Sequence, residues 1–238
     1  MKDVVIVSAC RTAVGSFGGS LKDVSGYRIA SAAMKEAIRR AGISPDVIED
    51  VRFGSCMEPR QSFNIARVAS IDAGVPVSST AATVNRACIS GMEAVISGMA
   101  MIKADIAEVV LAGGVEHMSG VPYSIPTARW GCRLQNQILE DELIETLYAG
   151  SRVQPGLEKG PVQDGPVVDM FRGKPYLMGH TAELVAQMYS ISREEMDEVA
   201  LRSHNNAERA TKEGMFRDEI VAVEVRPPEE GHASPAVR

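Results

Sequence analysis

The chain has no cluster of lysine and arginine, no uninterrupted apolar run of the roughly eighteen residues that a membrane span needs, and no C-x-x-C pair. Each absence closes a class of function. With no basic patch and a formal net charge of -6, nothing offers a footprint for a nucleic-acid backbone. The opening "MKDVVIVSAC" has neither the cationic lead-in nor the apolar core of a signal peptide, so no membrane association is expected. Four cysteines, Cys10, Cys56, Cys88 and Cys132, lie far apart, which argues against a disulfide frame or a metal site and fits reduced thiols in the cytoplasm. No internal repeat is present.

What the sequence does contain is an ordinary globular composition, with 238 residues of which 45% are hydrophobic and 24% charged. That length suits one large domain or a domain with a substantial insertion. Residues 4–9, "VVIVSA", form a β-branched run of the kind buried on both faces of a parallel sheet. After a Gly/Ser-rich loop, Ala30, Ala33, Met34, Ala37, Ile38 and Ala41 recur at helical spacing and Gly42 closes the helix, while Arg28, Lys35, Glu36, Arg39 and Arg40 cover its solvated face. Strands follow near "DVRFGSC", "AATVN" and "AEVVLAGG", separated by helices over "FNIARVASIDAG" and residues 89–104. This rhythm predicts an α/β layered domain with a mostly parallel sheet and helices on both faces.

The alternation stops after Gly114. Residues 117–177 contain one amphipathic helix, "ILEDELIETLYAG", and then a long Gly/Pro-punctuated stretch, read either as a substrate-facing loop region or as a surface insertion. Helical spacing returns at Met178, and "SREE" at residues 192–195 has the form of a capping box opening a further helix with Met196, Val199, Ala200, Ala207 and Ala210 as its apolar stripe. A last strand, "EIVAVEV", precedes a tail, "RPPEEGHASPAVR".

One cysteine stands at a corner. "VNRACISGMEAV", residues 84–95, sets Cys88 between a strand and a helix whose only other ionisable side chain up to Ile102 is Glu93. A helix apolar on all sides must be covered on all sides. Thiols at a helix start, beside unsatisfied N–H groups and the positive end of the dipole, are more acidic and more reactive than free thiols. The small pair Ser90 and Gly91 suits a sharp strand-to-helix turn in which the Cys88 amide could hold an oxyanion. The residues by themselves leave Cys88 open as a nucleophile or as one more small buried hydrophobe.

Taken together, these stretches resemble the thiolase family, the acyl-CoA C-acyltransferases that make or cleave β-ketoacyl-CoA. "VVIVSACRTAVGSFGGSL" is similar to the family's opening strand and loop, and "NIARVASIDAGVPVSSTAATVNRACISGMEAV" to its nucleophile region, with Cys88 where the acylated cysteine stands. "AGGVEHMSGVPY" resembles the G-G-x-E-x-M-S stretch that contains Met118, and "MGHTAELVAQMYSISREEMDEVALRSHNNA" the loop-domain helices that cradle coenzyme A. The resemblance implies a layered thiolase-type fold, with an α/β half at residues 1–116, an inserted loop domain facing substrate at 117–215, and a last strand and tail at 216–238. It implies Cys88 as nucleophile and Met118, Met178 and His204 on the path of acyl group and pantetheine, with a half-exposed helix position as the alternative for His204. Coenzyme A would enter as substrate, with no separate cofactor and no metal.

The resemblance also sets expectations about what is missing. Family members continue into a second half that carries a histidine in a G-H-P-type motif, a cysteine in a C-x-G-G-G-type motif and an asparagine in an N-E-A-F-type motif, none of which occurs here. His117, His180, His204 and His232 stand in no such context. Acylation of Cys88 is therefore expected without full turnover, in a chain that forms a homo-oligomer or pairs with a complementary C-terminal-half chain. A non-catalytic acyl-CoA-binding or scaffold subunit, and a ketoacyl-synthase-type condensing enzyme, are the rival expectations. "CMEPRQSF" replaces the small or Gly-rich turn of many relatives, and the loop after Tyr148 is longer than in compact members. Acyl chain length and reaction direction are left undefined.

Overall fold

The helical spacing that begins near residue 27 becomes helix α1, Gly26–Ala41, whose Ile29, Ala30, Met34 and Ile38 are buried. Its far face is held by Glu36, which pairs with both Arg39 and Arg40 at 2.7 Å. Gly42 ends it at φ 67°, a left-handed conformation in which any β-carbon is strained, and donates its N–H to the Arg39 carbonyl. In the computed structural model, residues 3–57, 62–153, 164–172 and 174–225 are described.

The chain divides into two units, Met1–Val121 with Arg217–Arg238, and Pro122–Phe216. The first unit holds a three-stranded parallel sheet. Strand β2, Asp50–Gly54, lies in the middle, flanked by β3, Thr80–Val84, and β4, Val110–Gly114. Register is continuous across it, with Gly54 opposite Val84 on one side and Gly114 on the other. Because side chains alternate along a strand, Val51 and Phe53 face one way and Arg52 the other. Val51 and Phe53 join Ala30, Met34 and Ile38 of α1 and Ala66 and Ala69 of helix α2, Ile65–Asp72, in one apolar core. Helix α3, Ser90–Lys103, takes the opposite face, with Gly98 close to Val110 and Ala112 of β4. Helices thus cover both faces of a parallel sheet, the layered α/β class expected.

Polar side chains pin these layers. Asn64 caps α2 by accepting the Arg67 N–H at 3.1 Å and donates to the Ala81 carbonyl of β3 at 3.2 Å. Arg67 reaches the carbonyls of Ser79 and Val77 at 2.6 and 2.7 Å. Between α1 and α2 the buried Ser31 hydroxyl donates to Asp72, which also meets Lys35 at 3.2 Å.

Two strand expectations fail in this unit. Residues 4–9 form no strand; only Arg11–Thr12, β1, does, paired in parallel with Ile220–Val221, numbered β7 in chain order. The second failure is the last strand, which keeps just those two residues of "EIVAVEV". The physical reason is the missing ladder. Among the described residues β4 pairs with β2 alone, and a cavity of about 860 Å³ lies between the segment that begins at Val4, the apolar faces of α1 and α3, and β4. A β-branched run has strand propensity, but without a neighbour at hydrogen-bonding distance it has no strand. Val5, Ile6 and Val7 accordingly stay exposed.

The second unit is mainly helical. It contains the antiparallel pair β5, Tyr123–Ser124, and β6, Glu140–Asp141, followed by α4, Glu142–Val153, α5, Pro166–Phe171, α6, Met178–Tyr189, and α7, Arg193–Lys212. Helix α5 interrupts the stretch read as loop; residues 154–163 of that stretch and the tail from 226 lie outside the described residues. The capping box at α7 is present, with Ser192 N–H donating to Glu195 at 2.8 Å and Glu195 N–H returning to the Ser192 hydroxyl at 3.2 Å. The apolar stripe of α7 is uncovered, because within this unit Val168 is the one buried hydrophobic among the described residues. No helix among the described residues is long and apolar enough to cross a membrane.

The Ser31 hydrogen bond, aided by Lys35, holds the Asp72 carboxyl below its usual range. A depressed folded-state value adds stability above the unfolded value of about 4 and loses it as pH falls through the folded one. Thermal melts should therefore fall in midpoint on acidification below about pH 4, and Asp72→Asn should flatten that dependence while starting lower at neutral pH.

Candidate active site

At the C-terminal ends of the three strands the sheet meets the first turn of α3, and the contact is made through missing side chains. A β-carbon at Gly54 would lie 2.4 Å from the Ser90 carbonyl carbon and 2.5 Å from the Gly91 nitrogen, distances no real β-carbon shows. Gly114 packs there too, less tightly, its would-be β-carbon 3.3 Å from the Gly91 Cα. The close approach expected at Ser90 and Gly91 therefore exists, but the glycine that permits it is Gly54. A β-carbon on Gly91 itself meets nothing within 4 Å.

From the end of β3 the chain turns sharply. Ala87 takes φ 50°, left-handed and unfavourable for a residue with a β-carbon by roughly 1–2 kcal/mol. Ser90, only 4% exposed, locks the turn by donating from its hydroxyl to the Ala87 carbonyl at 2.5 Å and accepting the Arg86 N–H at 2.8 Å. Its backbone N–H also meets the Ala87 carbonyl, at 3.0 Å. Arg86 in turn pairs with Glu93 on the first turn of α3. Cys88 sits in this corner directly before the N-cap residue Ile89, and it is exposed and free. The alternative of a small buried hydrophobe does not describe it.

A second thiol stands nearby. Burial pushes the Cys56 thiol up, with smaller contributions from the charges of Glu116 and Cys88. Cys56 and Met57 donate their N–H groups to the two oxygens of Glu116 at 3.0 and 2.9 Å, and the Cys56 carbonyl accepts from Asn85 at 3.0 Å. Gly54, Asn85 and Glu116 escape a reading of single residues. Their common signal is position, each falling at or just after the end of a strand.

The remaining residues singled out by sequence lie elsewhere. Met118 opens the 3-10 turn Met118–Gly120 and borders the cavity beside β4, among whose lining residues Cys88 does not appear. In the same unit His117 directs Nε2 at the Leu21 carbonyl, 3.2 Å away. In the second unit, Met178 begins α6 at 75% exposure and His204 lies exposed on α7. Helix α3 has a stripe of Ser90, Ala94 and Gly98 buried, while Met92 and Ile96 remain 66% and 45% exposed. Among the described residues, full coverage of that apolar helix is not achieved.

The comparisons with known proteins agree on one family. The profile of the thiolase N-terminal domain matches residues 4–233. The acetyl-CoA acetyltransferase of Syntrophomonas wolfei is 40% identical over 225 residues, which are 94% of this chain and 52% of that protein. Beta-ketothiolase BktB of Cupriavidus necator is 40% identical over 224 residues, 93% of this chain and 51% of the relative. Among solved structures, the acetyl-CoA acetyltransferase of Bacillus anthracis superposes with a TM-score of 0.79 at 37% identity, covering 94% of this chain and 52% of that one. The chain spans about half the length of the curated relatives it matches.

The glycine contact makes a paired prediction for denaturant or thermal melts. Gly54→Ala should destabilise by about 1–3 kcal/mol, since backbone must shift to admit the methyl group. Gly91→Ala should be neutral or stabilising by up to about 1 kcal/mol, as a helical residue entering open space.

Proposed function

The chain belongs to the thiolase family, and on that premise we propose that it contributes the nucleophile half of an acyl-transfer site acting on acyl-CoA. The observation that carries this is the exposed Cys88 thiol, fixed by Ser90 at the start of α3. In the proposed reaction the Cys88 sulfur attacks the carbonyl carbon of an acyl thioester. A carbon–sulfur bond forms to the enzyme, the bond to coenzyme A breaks, and the departing thiolate takes a proton. In the degradative direction the same sulfur attacks the β-keto carbonyl, the carbon–carbon bond breaks with its electron pair going to the departing acyl-CoA carbanion, which takes a proton, and the thiol of coenzyme A then removes the acyl group from Cys88, returning the free thiol. Backbone N–H groups around the turn are the natural holders of the oxyanion, each such donor typically worth about 3 kcal/mol.

The energetic shortfall concerns protons. An ordinary thiol of pKa about 8.5 is only about 3% ionised at pH 7, and a general base typically contributes a factor of about a hundred to ten thousand. Among the described residues of the unit that holds Cys88, the one histidine, His117, is turned to Leu21. We therefore place the proton shuttle in sequence corresponding to the other half of the relatives' length. The exposed Met92 and Ile96 face of α3 is the surface that a partner would cover. Family position assigns Met118, Met178 and His204 to the acyl and pantetheine path, and coenzyme A acts as substrate, with no further cofactor. Four free thiols suit a reducing compartment such as the cytoplasm.

Incubation with acetyl-CoA followed by intact mass should reveal one acetyl adduct that maps to Cys88 and disappears in Cys88→Ser. An unmodified wild-type chain would favour the non-catalytic, acyl-CoA-binding role instead. For the surface, sedimentation of the chain should show association that Ile96→Glu shifts toward monomer; a wild-type monomer would remove the case for a partner at α3.

A further inference from the structure

Cys88 follows a turn that is tied to the ends of all three strands. The three parallel strands end level with one another, Gly54 beside Val84 and Gly114. Backbone pairing continues one step, through Ser55 N–H to the Val84 carbonyl at 3.2 Å and Val115 N–H to the Gly54 carbonyl at 2.9 Å. Beyond that, two side chains take over. From the end of β4, Glu116 receives the N–H groups of Cys56 and Met57, one on each carboxylate oxygen, at 3.0 and 2.9 Å. From the end of β3, Asn85 donates its amide N–H to the Cys56 carbonyl at 3.0 Å and accepts the Ala87 N–H on Oδ1 at 3.0 Å. The bonds form an unbroken chain from Glu116 through the 56–57 turn and Asn85 to the residue joined to Cys88.

Ala87 is the strained member, left-handed at φ 50°. Such a conformation persists only where its surroundings over-determine it. Ser90 holds its carbonyl and Asn85 its N–H, so both polar groups of the residue are fixed from outside. Asn85 can do this only while the Cys56 carbonyl stays put, and Glu116, an anion gripping two adjacent N–H groups, keeps it there. Charge-assisted bonds of this type are roughly twice as strong as neutral ones.

We infer that Glu116 and Asn85 are positioning residues that act on Cys88 in series, setting the thiol at the start of α3. The inference rests on Cys88 being the reactive thiol, but not on its acylation. Glu116→Gln leaves one of the two N–H groups facing an amide donor. Asn85→Asp keeps the acceptor for Ala87 while turning a carboxylate oxygen on the Cys56 carbonyl.

The test uses the full chain and iodoacetamide, with alkylation of Cys88 measured by peptide mass against the exposed Cys132 in the same sample. Each single substitution should lower the Cys88 to Cys132 rate ratio about tenfold, Glu116→Asp should recover part of it, and the double variant should fall no further than the worse single one. A ratio unchanged or raised in either single variant would overturn the inference, and so would effects that multiply to about a hundredfold, which is the mark of independent sites. Circular dichroism identifies any variant that unfolds; Glu116→Asp in place of Glu116→Gln, or Asn85→Ser in place of Asn85→Asp, then decides by the same comparison. If the ratio responds as expected while acetyl-CoA leaves no adduct, acyl transfer fails and the positioning role stands.

Discussion

A contact between bare backbones organises the chemistry of this chain. Because Gly54 has no side chain, the end of the central strand can rest against the first turn of α3, and the turn before that helix must then be tight. Tightness drives Ala87 into a left-handed conformation, and polar partners are recruited to hold it. Cys88 follows directly at this corner and is exposed there. The position of Cys88 is thus a consequence of packing at the sheet end rather than of local helix preference.

The same geometry explains why the surroundings of the site are polar while the helix behind it is apolar. Strand ends in a parallel sheet leave carbonyl and N–H groups without ladder partners, and Asn85, Glu116 and the Ser90 hydroxyl satisfy part of that set. Behind them α3 needs only Ala94 and Gly98 to lie flat on the sheet. Among the described residues its outward side chains, Met92 and Ile96 among them, find no cover.

The open edge of β4 has a similar meaning. Strand propensity at residues 4–9 is strong, yet the segment lies across a cavity from the edge that could pair with it. Hydrogen-bond ladders form between chains at a fixed spacing, so a segment slightly too far away contributes none of its potential. Propensity described what this segment could be, and spacing determined what it is.

Much of the frame was legible from sequence because it depends on short-range periodicity. The faces of α1, the Gly42 terminus, the Ser192–Glu195 capping box and the three inner strands all follow from residue spacing and from preferences of a few neighbours. The position of Cys88 between strand and helix was legible for the same reason, and the family resemblance supplied the role proposed for it. What the tertiary structure alone decided were relations between residues distant in the chain. Glu116 meets Cys56 and Met57 across some sixty positions, and Gly54 meets Ser90 across thirty-six. The uncovered stripes of α3 and α7 and the unpaired run at residues 4–9 are likewise statements about neighbours. Local pattern fixes which face of a segment is apolar; whether anything arrives to cover it depends on the rest of the fold, since burial and ladder formation are properties of pairs.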